Sequence, residues 1–242
     1  MGVELLPAMS RSFGERNVTA AGTVDRNLSR IIGTATGLIA VNILAMLALS
    51  YVPPVVGLGA ALFGNFFIGI AAFAVTVGGG SWVASKGTQR GSLPLAGVGV
   101  TLTQLGYALF GATALGLAAA SLRIPAIGIS VVVTAAITAA VAYVVFTTDR
   151  NFSSWQSYSF YLFVGGFVLG AAGYFVSPAL IVVASLVFFA AFVVSLTYEI
   201  WAVKQDRYAS DLRNAIGIYV AVMGVFVNVL VWVLRILSLL SE

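Results

Sequence analysis

Seven apolar runs follow one another along this chain, at roughly 31–52, 54–77, 93–119, 125–146, 158–176, 178–203 and 215–240, with only short polar stretches between them. At about 1.5 Å per residue, each is long enough to cross a hydrocarbon layer of about 30 Å as a helix. A backbone in lipid must satisfy its own hydrogen bonds, which the α-helix does within one segment. Charged residues make up 8% of the 242, against about 25% in a typical soluble domain, so the outside of the molecule is matched to acyl chains. The mean hydropathy of +1.05 agrees. The expected fold is an all-α integral membrane protein, a seven-transmembrane-helix bundle over 31–242 behind a cytosolic N-terminal tail, 1–30. The length leaves nothing for a second domain.

Proline marks boundaries. Pro54, Pro94, Pro125 and Pro178 fall at predicted helix starts, where the missing N–H costs nothing. The third run either continues as helix through Gly111–Gly116 or ends there in a loop, and Gly78-Gly79-Gly80 reads as the end of the second helix. The tail (Glu4, Arg11, Glu15, Arg16, Asp25, Arg26, Arg30) lacks the basic-then-apolar order of a cleaved signal peptide and reads as a cytosolic segment, in part an interfacial helix. Arg11, Arg16, Arg26, Arg30, Lys86, Arg90, Arg150, Lys204, Arg207 and Arg213 gather on one side of the predicted spans, against Arg123 and Arg235 on the other. That asymmetry predicts a multi-pass protein of the cell membrane with its N-terminus cytosolic and its C-terminus outside. Trp82, Trp155 and Trp201 then mark the cytosolic interface, and Tyr51, Tyr174 and Trp232 the opposite one. Gly33 and Gly37, and Gly166 and Gly170, form GxxxG pairs that predict close packing of helices within the bundle. No internal repeat supports an inverted-repeat transporter.

The chain contains no cysteine and no histidine. Disulfides, thiolate chemistry, a Ser-His-Asp triad and a HExxH zinc site are therefore excluded. A membrane aspartyl protease needs two intramembrane carboxylates, and the spans contain one. A retinal protein needs a lysine in its last helix, and Asn214–Leu240 has none. No Walker loop or strand-linked GxGxxG is present. The expectation is a protein that is not an enzyme and carries no cofactor. The net charge of +4 reflects membrane orientation, so no nucleic acid is expected as a partner. The polar side chains within the spans are few: Asn42, Asn65, Gln104, Glu199 and Asn228. Glu199 is the only acid among them, about 6 Å inside the sixth predicted helix. A carboxylate at that depth needs a partner or a hydrated cavity. It is either a structural ion pair with Lys204 or Lys86, or a functional group.

The stretch Ser195-Leu196-Thr197-Tyr198-Glu199-Ile200, a short charged loop, then Ile218-Tyr219-Val220-Ala221 and Val225-Phe226-Val227-Asn228 resembles the end of the Bax inhibitor motif family. Specific matching covers about 45 residues of 242; the rest agrees in layout. The resemblance implies a bundle in which six helices surround a central seventh. It also implies a pH-sensitive calcium leak with two acids, one on each of the last two helices, as a latch near the cytosolic mouth. Tyr198 and Glu199 match the first element, with Glu for Asp; Tyr219, Phe226 and Asn228 match the second. The second acid is replaced by Ala221.

On this reading the ion pathway and its latch involve Glu199, Tyr198, Tyr219, Asn228, Lys86 and Lys204, with Glu199 as the metal-responsive group and the calcium ion as cargo. Glu199 and Ala221 are expected to face each other across the last hairpin, and a lone acid beside a lysine weakens the latch. Asn65 and Gln104 either line the same cavity or bond between helices. The other reading is a non-conducting membrane scaffold or subunit, held to a membrane-protein partner by its glycine-rich faces. For a small-molecule permease, Asn42, Asn65 and Gln104 are too thin a midplane set.

Overall fold

The computed structural model describes residues 28–208 and 210–241; the tail charges from Glu4 to Arg26, and any helix they form, lie outside the described residues. Helix α1 is Leu28–Leu49, α2 Pro53–Phe63, α3 Phe66–Phe73, α4 Gly80–Gln89, α5 Leu93–Leu117, α6 Ala120–Thr147, α7 Trp155–Phe175, α8 Pro178–Lys204 and α9 Asp211–Leu240. No strand occurs among the described residues. Seven helical segments are long and apolar enough to span a membrane, so the molecule is an all-α membrane bundle. Leu28–Arg30 already belong to α1, which trims the expected tail.

The second span departs most from expectation. The run expected as one helix over 54–77 is broken at Gly64-Asn65. The 11-residue α2 reaches only about 16 Å and is too short to cross. The spanning unit is Phe66–Gln89: α3, a π-helical turn at Ala74–Gly79, and α4. Asn65 causes the restart by capping α3, its Oδ1 accepting from the N–H groups of Phe67 and Ile68 at 3.0 and 3.2 Å. Asn65 is thus neither cavity-lining nor interhelical. The three glycines expected to end a helix lie inside one, and at Gly80 the missing side chain serves close packing. A Cβ at Gly80 would meet Thr103 on α5, and one at Gly99 would meet the backbone of Ala84 and Gly80. The true end follows Gln89, where Gly91 (φ 66°) lets the Ser92 N–H return to the Gly87 carbonyl at 2.9 Å.

Helix α5 runs unbroken through the stretch that admitted a loop, because Gly111 admits Met46 and Gly116 admits Val56. Pro54, Pro94 and Pro178 stand in the first turns of α2, α5 and α8. Pro125, expected at a start, lies inside α6. So near the beginning of the helix its ring removes a single intrahelical bond, to Ser121.

Helix α9 is the core. Its most apolar window is 56% buried, against at most 33% in any other span. Small residues (Ala215, Gly217, Ala221, Gly224) alternate with large ones around its circumference, so neighbours approach from most sides. It packs on α1, α4, α5, α6 and α8. The expected ring of six is incomplete, because α7 lies outside α8, touching α3 through Phe66 against Gly170. The GxxxG pairs divide. Gly166 and Gly170 pack internally against Phe188 and Phe66, whereas Gly33 and Gly37 face open space on α1 and serve no packing within the bundle. Trp201, expected at the lipid interface, is 7% exposed and lies inside. We call the end of the bundle where α1 begins the basic end.

Candidate functional site

The α8–α9 hairpin sets the geometry at the basic end. Helix α8 stops with Asp206 in the left-handed region (φ 57°), and the Arg207 N–H returns to the Ala202 carbonyl at 3.0 Å. Ser210 then caps α9, its Oγ accepting from the Arg213 N–H at 3.3 Å. These two caps place Arg213 in the first turn of α9, opposite the last turns of α8. Its Nη1 lies 3.5 Å from Glu199 Oε2, with side chains only 15% and 13% exposed. The guanidinium also covers the Tyr208 ring, 4.4 Å from its centroid.

Gly217, one turn beyond Arg213, makes room for the pair. A Cβ there would overlap Glu199 Oε2 and lie 2.6 Å from Arg213 Nη1. The carboxylate therefore rests on bare helix backbone and faces α9. Glu199 Oε2 is buried and makes no hydrogen bond, so the guanidinium charge is what compensates it. Among the described residues no group of three or more acidic side chains, histidines or cysteines could hold a metal. Glu199 offers one carboxylate, enough for passing contact and short of a resident site.

The expected lysine partners are not used. Lys204 Nζ donates to the carbonyls of Val145 and Thr148, both at 2.9 Å, and of Phe146 at 3.4 Å. An ammonium has three donors, and the open C-terminus of α6 offers it carbonyls and the negative end of a helix dipole. Lys86, half-buried on α4, makes no ion pair with Glu199. Glu199 meets Gly217 instead of Ala221, which is buried in an apolar cluster with Val225 and Phe192.

The remaining expected site residues lie in other places. Tyr198 is turned away from Glu199; its hydroxyl pairs with that of Tyr208 at 3.0 Å, and Arg207 lies over its ring at 5.8 Å. Tyr219 points towards α1 and α5, its hydroxyl accepting from Asn42 Nδ2 at 3.1 Å. Asn42 also donates to the Gln104 carbonyl at 3.0 Å, and Gln104 Nε2 donates to the Leu38 carbonyl at 3.4 Å. Tyr107 adds a bond to the Val220 carbonyl at 2.8 Å. Gln104 is thus an interhelical bonding residue, part of a buried polar knot tying α1, α5 and α9. Asn228 returns its amide to the Gly224 carbonyl on its own helix at 2.8 Å and bridges nothing.

The six residues expected to share one site therefore occupy separate places. Arg213 and Gly217 complete the site around Glu199. Positions 213, 217 and 221 are spaced by four and form one stripe of α9, a pattern that does not by itself tell that the stripe faces Glu199. Compared with known proteins, the chain matches no family model, no curated protein and no solved structure.

Proposed function

We propose that the chain is a Bax-inhibitor-like protein of the cell membrane, N-terminus cytosolic and C-terminus outside, that forms a leak pathway for calcium or a similar cation. The Glu199–Arg213 pair holds its cytosolic mouth closed. The observation that supports this reading is the direction of Glu199, inward onto the central helix at 13% exposure. Arg213 here stands in for the absent second acid. It gives a latch that releases when the ion pair loosens, and a cation entering the mouth competes with the guanidinium for one carboxylate. Calcium entry into liposomes between roughly pH 6 and 8 tests it, with Glu199→Gln beside the parent. The expected result is parent flux above that of empty liposomes and a several-fold greater flux in the variant. Flux from both proteins equal to empty liposomes ends the channel reading.

One observation favours a second reading, a non-conducting scaffold or subunit. Gly33 and Gly37 present an unpacked GxxxG face on α1, the kind of surface on which another membrane helix seats. Stoichiometric co-purification with a membrane protein, lost on Gly37→Leu, supports that reading; a stable monomer that conducts supports the first.

A further inference from the structure

Helices α1 and α6 barely touch, and between them lies an apolar cleft of about 460 Å³. Its walls run from Leu28 to Ile43 on α1 and from Phe146 back to Val131 on α6, and its floor includes Ile218, Val222 and Phe226. Ala135, Ala139 and Ala142 line the α6 wall; their small size is what opens it. The cleft is walled by segments that span the membrane.

We infer that this cleft binds one acyl chain of an anionic phospholipid, with the headgroup at the basic end. Three observations carry the assignment. The walls extend over about 22 Å at 1.5 Å per residue, starting at the basic end, so they cover the roughly 15 Å of one leaflet. A helix about 10 Å wide would need roughly 1,700 Å³ over that length, several times the cleft's 460 Å³, which argues against a second copy and leaves a polymethylene chain, a few ångströms wide, as the occupant that fits. Finally, a cationic side chain stands beside the mouth. Lys204 is fixed by the carbonyls of Val145, Phe146 and Thr148 at the end of α6, where Phe146 lines the cleft. Anionic headgroups are drawn to such juxtamembrane basic groups.

Native mass spectrometry of the full-length chain in detergent, titrated with phosphatidylglycerol or phosphatidylcholine, tests the assignment. The parent is expected to take one phosphatidylglycerol at about tenfold lower lipid concentration than Ala139→Phe, which fills the slot, a difference of roughly 1.4 kcal/mol. Val132→Phe, on the exposed side of α6 and outside the cleft, should bind like the parent and controls for folding. Lys204→Gln should lose the preference for phosphatidylglycerol over phosphatidylcholine. Equal first-lipid binding by the parent and both phenylalanine variants overturns the site. Equal parent affinity for the two lipids overturns the anionic headgroup. A Thr138→Cys variant that cross-links fully into dimers in vesicles, or a first lipid that binds only after residues 1–27 are removed, overturns the lipid as occupant.

Discussion

Glu199 and Arg213 are each a poor choice for a membrane interior and a workable one together. Removing one partner of a desolvated pair leaves the other charge uncompensated, which costs about 3–5 kcal/mol, whereas removing both is often close to neutral. Arg213→Gln is therefore expected to destabilise the protein by about 3 kcal/mol, and Glu199→Gln/Arg213→Gln to recover most of that loss. A double-mutant cycle on unfolding in detergent measures it; additive losses from the two single variants would show that the charges do not interact. That Glu199 needs a partner was legible from its depth in a helix. Which partner it takes was not, because Lys204 is nearer in sequence and carries the same charge. Lys204 is drawn off by unpaired carbonyls of α6, a helix distant in sequence, and no local pattern announces that competition.

Glycines show how elements meet. Gly99 on α5 sits against α4 so closely that a Cβ there would lie 2.7 Å from the Ala84 Cα and 2.5 Å from the Gly80 carbonyl oxygen. Backbone cannot rotate aside, so Gly99→Ala is expected to cost about 1–3 kcal/mol. Gly37 on α1 has nothing within 4 Å, and Gly37→Ala should stabilise its helix by about 0.5–1 kcal/mol through the helical preference of alanine. Thermal unfolding of the two variants side by side checks the opposite signs; the same sign for both would refute this division of the glycines. Both residues look alike in the sequence. The broken second span was equally hidden in the sequence. Gly78-Gly79-Gly80 reads as punctuation yet lies within a helix, where Gly80 packs on α5, while the real interruption at Gly64-Asn65 carries an ordinary capping residue inside an unbroken apolar run. Asn65→Ala should cost about 1 kcal/mol by removing that cap, seen as faster amide exchange at Phe67 and Ile68.

Across the whole molecule the ends of the bundle differ in charge, and the absence of cysteine makes the topology directly measurable. With the basic end in the cytosol, single cysteines at Ser92 and Ser154 should label with an impermeant thiol reagent only after the membrane is opened. A cysteine at Ser177 should label in intact cells. Labelling of all three from outside would refute seven crossings in this orientation. The all-α class, the seven crossings and the excess of basic residues on one side were determined by the sequence alone, because each follows from properties that add along the chain: hydropathy, length and charge. The central place of α9 entered through a likeness in the last two helices. The Glu199–Arg213 pair, the knot of Asn42 with Tyr219 and the cleft between α1 and α6 were decided only by tertiary structure. They depend on how each helix is rotated about its own axis against its neighbours, and a helix that is apolar nearly all round carries no stripe to fix that rotation in advance.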